Sequence, residues 1–289
     1  MVEILVYGTV QSAGLLLMTF GFSLVYGISR LPNFAHGALF VFTGYAAWLL
    51  RNEARLPYWL AAALALLAAG LLGVLIYQLV LKRIRGMEMS EVIATYAIGL
   101  LILESLRWRG LRGTTFTLPV LAPGAVNLLG VPIDYQRIAV VLLGFGIVGA
   151  LWILTKTTRL GLALRGVAQD EQAAMLLGID TDLVATVAVG LGSVLAGAGA
   201  LILFPLGSIV VQSGYQVLVW AIAVCVVGGL GSWAGTVVAC LLLGFAQHLT
   251  AAYGKPHYQM VVMLLAIIVT LVIKPSGLLG RQKELEERV

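Results

Sequence analysis

Few side chains in this sequence stand where they could do bond chemistry. Its three histidines, His36, His248 and His257, fall in separate segments, and neither Cys225 nor Cys240 has a partner at zinc-ligand spacing. No nucleophile has a base beside it at a diagnostic spacing. The phosphate-cradling pattern Gly-x-x-x-x-Gly-Lys-Ser/Thr is missing, so ATP is not held that way. The expectation is a protein that is not an enzyme, with no metal and no cofactor of its own. What the residue types do offer is polar groups at apolar boundaries. A bare polar group in hydrocarbon costs several kcal/mol, so Asn33 and His36 either line a gate on a solute route or hold a helix break by internal bonds. Glu104 and His248, near the ends of apolar runs, read as anchors.

The densest polar grouping is Arg165 to Asp182. Asp170 can cap a short helix through its side-chain oxygen, with Glu171 in a first turn where negative charge suits the helix dipole. Gly178 supplies a left-handed stop, and Asp180 or Thr181 can cap whatever follows. The spacing predicts a short stiff helix over Glu171–Leu177, built on Ala173 and Ala174, that exposes Met175, Leu176 and Leu177. Such an apolar side needs a surface to dock on, either another protein or the chain's own helices.

The elements that position these groups are membrane spans. Hydrophobic residues make up 61% of the 289 and charged ones 11%, with a mean hydropathy of +1.01; ordinary soluble domains run at about 45–50% and about 25%. A span needs about 20 apolar residues. Nine candidate runs appear, near Gly8–Ile28, Phe34–Leu50, Pro57–Leu81, Val92–Leu106, Ile138–Thr155, Leu183–Leu206, Val217–Leu230, Gly235–Ala252 and Tyr258–Ile273. The fourth and seventh are short enough to be tilted or broken, as helices near a substrate path often are. The fold expected is an all-α polytopic bundle of eight or nine transmembrane helices, in one domain over 1–289. Met1–Tyr7 holds Glu3 and no Lys or Arg, which is not the basic start of a cleavable signal.

Net charge is +5, but the basic residues flank apolar runs instead of forming a stripe, which points to the lipid bilayer and away from nucleic acid. With Lys82, Arg83 and Arg85 placed inside, the larger share of the 18 basic residues falls on the cytoplasmic side. That places segment 156–182 and tail 274–289 in the cytoplasm, and segment 107–137 outside as a folded-back loop or short helix. The glycine-rich stretch Gly190–Gly199 reads as a packing face, since small residues let helix backbones approach in a bilayer. A faint internal repeat links the turn after Val25 with the turn after Val226.

Four segments resemble one family. Glu171-Gln-Ala-Ala-Met-Leu-Leu-Gly178 resembles the Glu-Ala-Ala-type loop of bacterial ABC importer permeases, especially those for branched-chain amino acids (the Liv H-type subunit). Leu31-Pro-Asn-Phe-Ala-His-Gly37, Val226-Val-Gly-Gly-Leu-Gly-Ser-Trp-Ala-Gly235 and Pro275-Ser-Gly-Leu-Leu-Gly280 resemble that family's other segments, in the same order. Gln172 and Trp233-Ala234 depart from the pattern, and the outer loop Trp108–Arg112 has no match.

The resemblance implies an inner-membrane permease that works with a second permease subunit (a paralogue or a copy of this chain), two cytoplasmic ATPase subunits that bind the ATP, and a periplasmic binding protein. It implies coupling to the ATPases through Arg165, Asp170, Glu171, Ala173, Ala174, Leu177 and Gly178. It implies a pathway near Asn33, His36, Gly37, Gly228, Gly229 and Gly231. The expected solute is a branched-chain amino acid, with urea or short amides as the alternative inside the family. An ion-gradient carrier is the alternative outside it, disfavoured by spans nearly free of ionisable groups.

Overall fold

A computed structural model describes residues 2–30, 32–111, 116–128 and 130–280. Part of the expected outer loop, at 112–115, and most of the expected tail, at 281–289, lie outside the described residues, as does Leu31. The helices are α1 (Val2–Ser29), α2 (His36–Asn52), α3 (Tyr58–Ile76), α4 (Lys82–Ile84), α5 (Glu88–Arg109), α6 (Tyr135–Thr157), α7 (Arg159–Gln169), α8 (Glu171–Leu176), α9 (Thr181–Leu203), α10 (Val211–Gly228), α11 (Trp233–Tyr253) and α12 (Tyr258–Ile273). A π-helical turn, Tyr77–Leu81, joins α3 to α4 without a break. Strands β1 (Ala125–Leu128) and β2 (Val131–Asp134) form an antiparallel hairpin inside the 107–137 segment, where one expectation had been a short helix.

Among the described residues, seven helices are long and apolar enough to cross a membrane. They are α1, the joined α3–α4, α5, α6, α9 with its following turn, α10 and α11. The remaining two expected runs are α2, with 17 residues, and α12, with 16. The sequence misplaced which spans are short. The fourth is an unbroken 22-residue helix and the seventh has 18 residues. Both extend through polar ends, Glu88–Glu91 and Gln212–Gln216, that an apolar window trims away.

Helix α1 is the axis of the bundle, and α9 and α11 pack along it. Its contact with α11 is lined by small and hydroxyl side chains. Ser23 and Thr236 share a hydrogen bond of 2.6 Å, and Thr19 meets Cys240 at 3.4 Å. The Gly190–Gly199 face of α9 is packing throughout. A Cβ at Gly192 would strike Val25, one at Gly197 would strike Thr43, and one at Gly199 the Leu17 carbonyl. In lipid, where apolar burial drives no association, such close approach is what holds spans together.

Helix α2 does not begin at the end of the bundle. His36 bonds the Met18 carbonyl at 2.9 Å, and Met18 lies eleven residues before the end of α1, roughly 16 Å deep at 1.5 Å per residue. After Arg30 the chain turns back inward. Thr95 of α5 receives the Phe34 amide at 3.2 Å and donates toward the Pro32 carbonyl at 3.3 Å. From there α2 runs to the opposite end, where Tyr45 and Trp48 pack on Phe116 of the folded-back loop.

Candidate functional site

Helices α7 and α8 lie together at one end of the bundle, and their order follows from caps. Thr158 accepts from the Gly161 amide at 2.9 Å to start α7, and Asp170 accepts from Ala173 at 3.0 Å to start α8. The end of α8 is a Schellman closure: the Ile179 amide reaches the Ala174 carbonyl at 3.1 Å and the Gly178 amide reaches Met175 at 2.9 Å. Gly178 carries this with φ +81°, a region that L side chains enter at a cost of roughly 1–2 kcal/mol. Asp180 then caps α9 through the Leu183 amide at 3.0 Å. Each cap is worth about 1 kcal/mol, so a six-residue helix too short to stand alone is held at both ends.

One side of α8 is seated in the protein: Ala174 is 3% exposed, within the same core cluster as Leu164 and Val167 of α7. The other side is bare. Leu176 is 89% exposed, Leu177 82%, and Met175 half exposed. Arg159 and Arg165 of α7 are exposed nearby in the chain. Of the residues expected to couple, Asp170, Ala173, Ala174 and Gly178 build and seat the helix, while Leu177 faces outward.

A cluster that sequence reading did not assemble lies behind α8. Arg85, just after α4, pairs with Glu171 of α8 through Nη2 and with Asp182 of α9 through Nη1 at 2.7 Å. The same Nη1 also donates to the Tyr77 hydroxyl at 3.1 Å, and that hydroxyl donates to Asp182 at 3.1 Å. Lys82 meets the other Asp182 oxygen at 3.2 Å. Burial pulls the Arg85 guanidinium toward its neutral form, but Tyr77, Glu171 and Asp182 hold the charge on, and its pKa ends above the ordinary value. Between α8 and the start of α9 lies a cleft of about 580 Å³, with Arg85 and Glu171 in its wall.

The residues expected to line a pathway are mostly enclosed. Asn33 is buried and accepts the Ala35 amide at 3.1 Å; His36 is buried on Met18. Gly37 sits against the Gly214 carbonyl and Gly228 against Gly235. Gly229, at φ +101°, faces Gly280. Here the Pro275–Gly280 segment docks, with the Leu278 amide on Val227 at 2.8 Å and the Leu279 amide on Gly228 at 3.0 Å. The two turns of the faint repeat also meet, Gly231 against Gly27. Of the six, Gly231 borders a cavity. It lies at the edge of a pocket of about 270 Å³ with Lys156 and Arg165. Trp152 and Trp233 link that pocket to an apolar groove of about 560 Å³ between α1, α6 and α11, walled by Phe20, Phe145 and Val237.

Glu104 pairs with Arg107 at 2.8 Å, and His248 stacks on Tyr7 with centroids 5.9 Å apart. The first contact lies within α5, and the second joins α11 to α1. Among the described residues, no three His, Cys, Asp or Glu side chains gather to hold a metal ion.

Comparison with known proteins gives a consistent family. The model of the family described as "Branched-chain amino acid transport system / permease component" matches residues 4–271. The high-affinity branched-chain amino acid transport system permease protein BraD of Pseudomonas aeruginosa is 28% identical, covering 96% of this chain and 95% of its own. LivH of Salmonella typhimurium, with the same description, is 30% identical over 92% of this chain and 91% of its own. Among solved structures, PsaBC from Streptococcus pneumoniae in complex with Fab aligns with 99% of this chain and 95% of that one. The TM-score is 0.54 at 11% identity, which is a likeness of fold.

Proposed function

Because the chain belongs to the branched-chain amino acid transport system permease family, we propose that it is the membrane subunit of an ATP-driven importer of branched-chain amino acids, driven through α8 by separate ATPase subunits. A second permease subunit and a periplasmic binding protein complete the assembly. The α8 end then faces the cytoplasm, and the C-terminus with it. The observation that carries this reading is the pair Leu176 and Leu177, left in solvent on a helix capped at both ends and seated on Ala174. Apolar side chains so bare on an ordered element mark a protein contact, and a stiff element passes on force that a loop would absorb.

The groove beside Trp152 and Trp233 supplies an apolar wall suited to an aliphatic solute. Its open side is where a second permease would close the route. Cysteine at Leu176, treated with a short bifunctional reagent in the assembled transporter, is expected to cross-link to an ATPase subunit. Leu176→Glu with Leu177→Glu is expected to release that subunit on purification. An ATPase that remains bound to the double variant, with no cross-link to position 176, would refute the assignment.

A further inference from the structure

Helix α8 meets the rest of the chain through two joints. One is Asp170, extended between α7 and α8; the other is the Gly178–Asp180 link to α9, where Gly178 has a left-handed backbone and open space around it. A push on Leu176 and Leu177 would be lost if α8 swung about these joints into the cleft beside it. One side chain bridges the second joint. Arg85 holds Glu171 before it and Asp182 after it, with its own side chain only 18% exposed.

The grip continues into three spans. Asp182 is in the first turn of α9. Tyr77, wholly buried, and Lys82 tie Asp182 to the end of α3 and to α4, and Gln78 adds a 2.8 Å bond to Thr186 of α9. The Gly86 amide donates to Glu91 of α5 at 2.8 Å, fixing the turn that carries Arg85. A guanidinium suits this task because its planar fork offers separate N–H donors to two carboxylates at once, which an ammonium on a flexible stem does not.

We propose that Arg85 is a positioning residue that locks α8, the start of α9 and the α4–α5 turn into one rigid unit, so that movement of α8 reaches α3, α5 and α9 together. This rests on the reading of α8 as the coupling helix. The brace is polar and lies at the end of the bundle, with Glu171 and Asp182 both partly open to solvent. Its loss therefore loosens α8 while the glycine-packed spans keep their contacts.

The test uses the whole transporter in proteoliposomes and reads solute moved per ATP hydrolysed. Arg85→Gln is expected to lower that ratio about tenfold, and Arg85→Lys by a smaller factor, since it keeps the charge but not the fork. Both keep the Leu176 cross-link to the ATPase. Glu171→Ala cuts only the α8 arm and leaves Arg85 on Asp182, so it reads the joint even where Arg85→Gln assembles poorly. Cysteines at positions 85 and 171, joined by a short thiol cross-linker, are expected to restore the ratio. A normal ratio in Arg85→Gln or Glu171→Ala, or a joined pair that fails to restore it, overturns the role of Arg85. A missing cross-link in the transporter that carries Leu176→Cys alone would sink the coupling reading itself and this one with it.

Discussion

Gly178 and Glu171 show how much a single position at the end of α8 controls. Gly178 has φ +81° with no atom within 4 Å of where a Cβ would stand, so a side chain there meets strain but no clash. The Schellman closure is what suffers, at roughly 1–2 kcal/mol. Glu171→Lys places a cation against Arg85 in exchange for a carboxylate, which replaces attraction with repulsion. Gly178→Glu and Glu171→Lys are therefore expected to reach the membrane at near-normal levels yet lose most uptake, as read by immunoblot beside radiolabelled solute uptake. Normal uptake in both would remove α8 from the mechanism. At this scale, what is local was legible. Asp170, Gly178 and Asp180 act through amides at most five residues away, and their types announced it. Arg85 was not legible as a brace, because its partners are 86 and 97 residues further along the chain.

Helices show the same division between local and distant causes. Apolar runs announced nine helices, seven of them long and apolar enough to span among the described residues, and the glycines of α9 announced a packing face, because composition alone sets both. The ends of α5 and α10 were misjudged because these helices continue through exposed polar residues, Glu88, Gln212 and Gln216, which an apolar window leaves out. Nor does composition reveal that α2 starts inside the bundle, since the partners of Phe34 and His36 come from α5 and α1. Backbones approach closely where α2 passes α10: a Cβ at Gly37 would fall on the Gly214 carbonyl. Overpacking a tight core typically costs about 1–3 kcal/mol, and here the obstacle is backbone that cannot turn aside. Gly37→Leu is expected to lower the thermal midpoint of the purified protein in detergent by several degrees, while Gly146→Leu, with open space around it, leaves it unchanged.

For the molecule as a whole, three of the four segments that resembled a family in sequence converge at one end: the Val226–Gly235 turn, the Pro275–Gly280 segment and α8 all lie there. The order of the segments was readable from the chain, but not their meeting, which depends on how α1, α10 and α11 pack. The groove beside α6 was likewise hidden, being assembled from three separate helices. Gly149 borders it with nothing near its Cβ position, so Gly149→Trp is expected to fill the groove, leave the thermal midpoint intact and cut uptake several-fold; unchanged uptake would place the solute elsewhere. The inward start of α2 bears finally on how the protein is made. Its 17 residues reach only about 25 Å, and the amide of Phe34, which bonds the Pro32 carbonyl at 3.1 Å, has its second acceptor on α5, which a ribosome completes much later. Until Thr95 arrives, the Phe34 amide and the Pro32 carbonyl have only each other, without the hydroxyl that bonds both in the folded protein. The first hairpin is therefore expected to settle at its final depth only in company with the fourth apolar run.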